Sequence, residues 1–269
     1  MTSKLDLIIK PAFSRAYIRI VMGNRVPGEV LTDSMLPVLS LAAYVYTYYF
    51  LGASQQYVGF VILGGAMLAF WSNVLWSVGS QLYWEKEDGN LEAFFMSPAS
   101  KMSLLTGMAF GGVVNTALRV IVTIVVGVMI FGVRFDLSQI PEALSVFGLT
   151  VIDLYALGMM FSSLYLLFGR EAWHISNLLT EPVSFITGLY YPIQLFPFWL
   201  QALASLIPMT LGLDIMRGMF FNGSTILSEP LEVGVLAIMA PVLILLAKFA
   251  LDYMEQFSKK EGRLTLRWQ

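Results

Sequence analysis

Apolar residues recur at intervals of three and four over residues 5–21, with basic residues between them. This spacing predicts an amphipathic helix. A helix with aromatic side chains on one face and Lys or Arg on the other typically lies in a membrane interface, parallel to the bilayer. We therefore expect residues 1–28 to form an interfacial helix on the cytoplasmic leaflet. A soluble amphipathic helix that packs on a partner protein is the alternative.

Long apolar stretches follow this segment, and each is long enough to cross the roughly 30 Å hydrocarbon core as a helix. A further apolar segment, 195–221, is interrupted by Pro, Gly, Asp and Arg residues, so we expect it to form short re-entrant helices instead of a span. The predicted fold is an all-α polytopic membrane protein whose transmembrane domain covers residues 29–258. Its six predicted spans are 30–51, 57–81, 104–132, 141–168, 172–191 and 233–256.

The distribution of basic residues supports six spans. When the amino terminus is placed inside, most of the 16 Lys and Arg residues fall on the cytoplasmic side, in agreement with the positive-inside rule. A seventh span at 195–221 would move the basic residues of the tail, 259–269, to the outside. We therefore expect both termini to be cytoplasmic, and the protein to be a multi-pass protein of the cell membrane in contact with its lipids.

The composition narrows the classes of function. Charged residues make up 13% of the chain, about half of the roughly 25% typical of soluble proteins, and the net charge of −2 argues against a nucleic-acid partner. There is no Cys, and the single His, His174, cannot form a metal site without partners. No Gly-x-x-x-x-Gly-Lys-Ser/Thr phosphate loop is present. We therefore expect no catalytic residues, no metal and no cofactor bound by this chain. If the protein uses ATP, another chain must bind it.

The connection between the second and third predicted spans carries a charged run followed by a short apolar segment. Glu85–Asp88 precede Gly89, Asn90 is suited to begin a short helix, and Pro98 prevents a long continuation. A helix over 90–98 suits a docking element for a cytoplasmic motor protein, although an interfacial helix resting on lipid explains the composition equally well. The apolar side chains that it would present to a neighbour are Leu91, Phe94, Phe95 and Met96.

Two stretches resemble signatures of the type-2 ATP-binding-cassette exporter permeases. Residues 85–107, EKEDGNLEAFFMSPASKMSLLTG, are similar to the acidic-Gly-x-Leu-Glu…Ser-Pro signature of that family. Residues 188–223, GLYYPIQLFPFWLQALASLIPMTLGLDIMRGMFFNG, are similar to its second signature, which has a Tyr-Pro pair, then Pro-x-Trp-Leu, then Pro-x-Thr and an acidic-x-x-Arg. The two stretches occur in the family's order within a six-span layout, so the resemblance covers essentially the whole chain.

The resemblance implies the permease subunit of an ATP-driven exporter, which is not itself an enzyme. Two permease copies, most simply a homodimer, would form the pathway at their interface, and each would rest on a cytoplasmic ATPase subunit. The implied substrates are amphiphilic, lipid-linked, glycan or drug-like molecules. The residues implied in coupling to the ATPase are Glu85, Glu87, Asp88, Gly89, Asn90, Leu91, Glu92, Phe94, Phe95, Ser97 and Pro98. The residues implied in the extracellular gate are Tyr191, Pro192, Pro197, Trp199, Pro208, Asp214 and Arg217.

Ionisable residues at bilayer depth cost about 2.5–3.5 kcal/mol each on insertion scales, so each requires a partner or a wet cavity. Arg119 and Asp153 are predicted near the middle of consecutive spans, and Glu181 is a second predicted partner for Arg119. These three residues either pair structurally or line the substrate pathway. Asp214 and Arg217, three residues apart on a short helix, are expected to form a local pair.

Aromatic residues crowd one part of the first predicted span. The outer half of that span holds Tyr44, Tyr46, Tyr48 and Tyr49. An aromatic belt at the membrane interface explains such a cluster, and stacking against sugars or flat substrates is the functional alternative.

Two other functions compete with the exporter. A membrane-embedded transferase would need a catalytic constellation, whereas the intramembrane acids are single and the histidine is isolated. An ion-coupled carrier could use Arg119, Asp153 and Glu181, but it would leave the predicted helix over 90–98 without a purpose.

Overall fold

The computed structural model describes residues 6–97, 99–168 and 172–260, and within these ranges the secondary structure is entirely helical. The predicted all-α class is therefore confirmed for the described part of the chain. The helices are α1 (Asp6–Gly23), α2 (Pro27–Phe50), α3 (Gln55–Asn73), α4 (Gln81–Glu87), α5 (Leu91–Met96), α6 (Lys101–Phe131), α7 (Ile140–Phe168), α8 (Ala172–Ile186), α9 (Phe198–Ala204), α10 (Pro208–Phe221) and α11 (Glu229–Lys260).

The helix α3 forms the centre of the bundle. It continues without a sharp bend through a π-helical segment, Val74–Gly79, into α4, so that Gln55–Glu87 forms one element long and apolar enough to cross a membrane. The side chains of Phe70 and Trp71, at the end of α3, are fully buried. Around this column pack α2, α6, α7 and α10, while α11 lies along the outside of α7.

The amphipathic helix α1 packs along the first half of α6 at backbone distance. A Cβ atom on Gly107 would lie 2.2 Å from the carbonyl oxygen of Ala12, and one on Gly111 would lie 3.0 Å from that of Ala16. Only glycine allows the two helices to approach this closely, and Ala16 is accordingly buried. The opposite face of α1 leaves large apolar side chains uncovered, including Phe13 and Tyr17, in agreement with the predicted amphipathic pattern.

Five helical elements of the described chain are long and apolar enough to cross a membrane. They are Pro27–Phe50, Gln55–Glu87, Lys101–Phe131, Leu137–Tyr165 and Glu229–Phe257, and they coincide with five of the six predicted spans. The short helices α9 and α10 meet at an angle of 108°, which is the geometry of either a broken span or a re-entrant loop. They replace the continuous apolar segment 195–221 because Pro208 starts a new helix after Ile207.

The fifth predicted span, 172–191, differs from the structure. The helix α8 has 15 residues, about 22 Å at 1.5 Å per residue, and it ends at Ile186. Gly188 then adopts φ 64°, a left-handed conformation that closes the carboxyl end of a helix. At the other end of the chain, α11 extends to Lys260, beyond the predicted end of the last span, and residues 261–269 of the predicted tail lie outside the described residues.

Candidate functional site

The predicted coupling segment begins with acidic residues that have different environments. Glu85 is buried, and its Oε1 lies 3.0 Å from Nη1 of Arg15 on α1. One turn earlier, Gln81 accepts a hydrogen bond of 2.8 Å from Nη1 of Arg19. Two polar contacts therefore attach α4 to α1, at the end of the bundle that we call the α1 end.

The rest of the charged run faces outward. Glu87 and Asp88 are exposed, and Gly89 adopts φ 73° in the turn between α4 and α5. Asn90 is the N-cap residue directly before α5, but its side chain makes no capping hydrogen bond. The turn is instead closed by backbone, since Asn90 N donates to the carbonyl oxygen of Glu85 over 2.8 Å.

The helix α5 presents a different apolar face from the one that we predicted. Leu91 and Phe95 are buried in the chain's own core, with 1% and 6% of their surface exposed, because residues four apart share one face of a helix. Met96 is 77% exposed. The prediction that Phe95 faces a partner is therefore wrong, whereas Met96 is free to do so. Ser97 accepts a hydrogen bond from Ala99 N, and the side chains of Glu92 and Phe94 and the whole of Pro98 lie outside the described part.

Arg119, in the middle of α6, does not pair with either of its predicted partners. Its Nε lies 3.2 Å from Oδ2 of Asp33 on α2, and Nη2 donates to the carbonyl oxygen of Gly23 over 3.1 Å. The predicted pairing with Asp153 or Glu181 is wrong because Asp33 reaches Arg119 first from the neighbouring helix. The sequence contained one usable signal, since Asp33 lies inside a predicted span and needs a partner by the same rule as Arg119.

Asp153, on α7, differs from Arg119 because its side chain has no polar partner in the described chain. Its side chain is fully buried, and neither carboxyl oxygen has a hydrogen-bond partner within the described chain. Glu181, on α8, is exposed and lies on a surface that also carries His174 and Asn177. The three predicted intramembrane charges are therefore not brought together.

A polar cavity of about 660 Å³ opens beside Arg119. It lies between α1, the first half of α2, the second half of α3 with its π-helical extension, and the middle of α6. This position places it toward the α1 end of the bundle. Its polar lining comes mainly from Arg19, Asp33, Ser72, Asn73, Ser77, Asn115 and Arg119.

At the opposite end of the bundle, which we call the α10 end, Arg217 is the central side chain. Nη1 donates to the carbonyl oxygens of Gly188 (2.7 Å) and Tyr191 (3.2 Å). Nη2 donates to those of Phe60 (3.1 Å) and Leu189 (2.6 Å). Arg217 is 2% exposed. Its four hydrogen bonds attach α10 to α3 and to the turn that follows α8.

Asp214 does not form the predicted local ion pair with Arg217. Its Oδ1 accepts from Nε2 of Gln194 over 2.8 Å, and its Oδ2 accepts from the backbone N of Ile226 over 2.7 Å. The two residues lie on the same short helix, but each is held by neighbouring loops. Asp214 thereby closes the segment before α9 onto the loop that leads into α11.

The remaining predicted gate residues lie on the segment that runs from the end of α8 to the start of α10. Tyr191 donates to the carbonyl oxygen of Phe185, and Pro197 and Pro208 precede or open α9 and α10. Trp199 is 67% exposed on α9. Pro192 begins the short 3-10 turn Ile193–Leu195.

An aromatic cluster lies at the α10 end, beside the turn that follows α8. The rings of Tyr44 and Tyr190 stack with their centroids 3.9 Å apart, and the hydroxyl of Tyr48 donates to the carbonyl oxygen of Tyr190 over 2.8 Å. Tyr48 also stacks on Tyr57. Tyr44 and Tyr48, two of the tyrosines singled out in the sequence, therefore contact Tyr190, which directly precedes the predicted gate residue Tyr191. The sequence did not predict these contacts. Tyr46 instead contacts Tyr49 edge to face.

No group of three or more His, Asp or Glu side chains suited to a metal ion occurs within residues 6–97, 99–168 and 172–260.

Comparison with known proteins places the chain in a family. The family model described as ABC-2 type transporter matches residues 24–221, which is most of the chain. A search of curated proteins finds none that matches this chain.

Proposed function

We propose that this chain, which belongs to the ABC-2 type transporter family and is a permease subunit of an ABC transporter, works as a homodimer in which each copy rests on a separate cytoplasmic ATPase. In this proposal ATP and Mg²⁺ bind to the ATPase, and the permease dimer exports an amphiphilic, lipid-linked, glycan or drug-like molecule. The observation that carries the proposal is the uncovered polar surface of α8.

The helix α8 exposes His174, Asn177 and Glu181 at intervals of three and four, so that they form one stripe. Within the chain, α8 contacts mainly α7 and α9. A charged side chain that faces lipid costs about 2.5–3.5 kcal/mol on insertion scales. A second copy of the chain that faces this stripe would remove it from lipid and enclose a polar path between the two subunits.

The aromatic cluster supports the same path. Tyr44 and Tyr190 lie where the path along α8 would reach the α10 end, and their stacked rings offer apolar faces to a ring-shaped or amphiphilic substrate. Arg217 holds α10 beside this position through the carbonyl oxygen of Leu189. We infer that this segment forms the exit.

The α1 end supports attachment of the ATPase. Glu87 and Asp88, where α4 ends, and Met96, where α5 ends, are all exposed, while Glu85 is paired with Arg15 and would transmit any displacement of α4 to α1. An exposed methionine and two exposed carboxylates in one short connection suit a groove with an apolar floor and a basic rim. This surface replaces the predicted one that included Phe95.

Capture of the partner tests the ATPase part of the proposal. The tagged chain is purified in mild detergent from its native membrane, and co-purifying proteins are identified by mass spectrometry. We expect a stoichiometric phosphate-loop ATPase, and Met96→Asp should lose it. Leu137→Asp is the matched control because Leu137 is 72% exposed but lies at the opposite end of the molecule. Equal capture by both variants would remove Met96 from the docking surface, and no ATPase with the parent chain would contradict the coupling.

Disulfide cross-linking tests the homodimer. The chain has no Cys, so a single introduced Cys has no intramolecular partner, and a covalent species of twice the mass of the chain reports a second copy. Leu178→Cys, on the exposed surface of α8, should give a covalent dimer in oxidised membranes. Phe249→Cys on α11 is the matched control, since both parent side chains are 70% exposed. Cross-linking at Phe249 alone, or at neither position, would place the interface elsewhere.

A further inference from the structure

The polar cavity at the α1 end has a chemistry that suggests its ligand. We propose that it binds the phosphate group of an anionic amphiphile, which it takes from the leaflet at the α1 end; this inference rests on the proposed transport function. The cavity is bounded by four helices, and three of them, α2, α3 and α6, are membrane-crossing elements. A ligand that reaches it from within the bilayer therefore carries an apolar part.

The cavity has more cationic than anionic side chains. Two guanidinium groups, those of Arg19 and Arg119, line it together with one carboxylate, that of Asp33. Arg19 has no carboxylate within ion-pair distance in the described chain, and its Nη1 donates to neutral Gln81. Since the two arginines are balanced by only one acid, the lining of the cavity has an uncompensated positive charge, which favours an anionic ligand.

Asp33 occupies the position that the ligand would take. Its Oδ2 lies 3.2 Å from Nε of Arg119, but its side chain is 54% exposed and has no other partner in the described residues. An exposed ion pair of this kind is weak and is readily exchanged. A phosphate group brings several oxygens and matches the guanidinium fork, so it can replace Asp33 at Arg119.

The wall formed by α3 supplies neutral donors. Oδ1 of Asn73 accepts a hydrogen bond of 2.8 Å from the hydroxyl of Tyr155, which orients the amide and leaves Nδ2 without an acceptor in the described chain. The hydroxyls of Ser72 and Ser77 also have no partner there, although helical serines commonly bond to the preceding turn.

Ser77 lies inside the π-helical segment Val74–Gly79, and such segments frequently mark functional sites. The donors of this wall face the same cavity as the two guanidinium groups. Guanidinium, amide and hydroxyl donors around one space form the donor set that a tetrahedral oxyanion requires.

Binding to the purified full-length chain tests the proposal. The chain, in a neutral detergent, is titrated with dihexanoyl phosphatidic acid, with inorganic pyrophosphate and with dihexanoyl phosphatidylcholine, and binding is followed by isothermal calorimetry. Phosphatidic acid should bind saturably and more tightly than phosphatidylcholine. Arg19→Gln and Arg119→Gln should each weaken its binding roughly tenfold, because each removes a charge-assisted hydrogen bond. Asp33→Asn should tighten binding about threefold or more because the competing carboxylate is lost.

Two controls make the result decisive. Arg134→Gln removes the same charge from an exposed position in the connection just after α6 and should leave the affinity within about twofold. Arg119→Lys keeps the charge, so a folded Arg119→Lys variant with reduced affinity supports a bidentate contact even if Arg119→Gln is unstable.

The three titrated compounds also distinguish a lipid headgroup from a soluble anion as the source of the phosphate group. Tighter binding of phosphatidic acid supports a lipid headgroup, whereas inorganic pyrophosphate that binds equally well supports a phosphate site filled by a soluble anion. The absence of saturable binding to both, or equal affinities in the Arg19, Arg119 and Arg134 variants, would overturn the proposal. Capture of the ATPase by the same Arg19→Gln chain shows that the transport assembly is intact, so a failed phosphate site is distinguishable from a failed transporter.

Discussion

Arg119 and Arg217 are two arginines within the helical bundle, at different ends and with different partners. Arg217, at the α10 end, is 2% exposed and donates to four backbone carbonyl oxygens, without an acid in ion-pair distance in the described chain. Arg119, beside the polar cavity, has a side chain that is 22% exposed and faces the half-exposed carboxylate of Asp33. Within the described chain, the first guanidinium group donates to backbone carbonyls alone. The second donates to the carbonyl oxygens of Gly23 and Asn115 and in addition faces a carboxylate on a side chain that can move away.

The comparison shows that burial and availability are separate properties of a charged group. Backbone carbonyls are rigid partners, so the contacts of Arg217 last as long as the fold around it. A carboxylate on a rotatable side chain can be displaced by a competing anion. We therefore expect substitutions of Arg217 to affect stability, and substitutions of Arg119 to affect mainly ligand binding.

Arg217→Lys should have the largest effect. An ammonium group is a compact point donor and cannot reach the four carbonyl oxygens that the guanidinium fork spans. We expect a loss of roughly 3 kcal/mol or more in the free energy of unfolding, since several buried charge-assisted hydrogen bonds are removed. Unfolding in mixed micelles by dodecyl sulfate measures it, with Arg134→Lys as the exposed control. A loss no larger than that of the control would show that the carbonyl contacts do not stabilise the α10 end.

Asp153→Asn should have a smaller effect of the opposite sign. The Asp153 carboxyl group is buried without a partner, and burying an unsatisfied polar or charged group is unfavourable. The amide would also lack a partner, but it carries no charge to desolvate, so the free energy of unfolding should rise by about 1–2 kcal/mol. The control is Asp252→Asn, an exposed change on α11. If Asp153→Asn instead destabilised the chain or abolished transport without unfolding it, the buried acid would have a role in the transport cycle.

The coupling between Arg119 and Asp33 should be the smallest effect on stability. A double-mutant cycle with Arg119→Gln and Asp33→Asn should give a coupling energy below about 1 kcal/mol, because the pair is partly exposed. The same unfolding assay measures it. A coupling energy above about 2 kcal/mol would make this pair a structural one like the contacts of Arg217, and the two ends would no longer differ in kind.

Apolar periodicity and length predicted most of the fold, because the bilayer imposes both. The apolar stripe over residues 5–21 corresponds to the helix α1, and five of the predicted spans coincide with long helices. The span 172–191 was predicted too long because hydropathy does not register the left-handed turn at Gly188. A positive φ depends on where the following backbone must go, and here that backbone turns toward Arg217.

The partners of the charged residues were harder to predict. Spacing along the chain gives the depth of a residue but not which helices are neighbours, so Asp33 was missed as the partner of Arg119. The hydrogen-bond acceptors of Arg217 are backbone carbonyl oxygens, which every residue possesses and which no sequence pattern marks. In α5, a helix of six residues is too short for its periodicity to distinguish the buried Phe95 from the exposed Met96.

The close packing of α1 on α6 has a consequence for the biosynthesis of the protein. The hydroxyl of Ser103 donates to the carbonyl oxygen of Ile8, a residue 95 positions earlier in the chain. At about 5–20 residues per second, the ribosome needs roughly 5–20 s to synthesise that interval. During this time Gly107 and Gly111 do not yet exist, so α1 has no groove to occupy. Its uncovered apolar face, with Phe13 and Tyr17, allows α1 to remain bound at the lipid surface until α6 has been inserted.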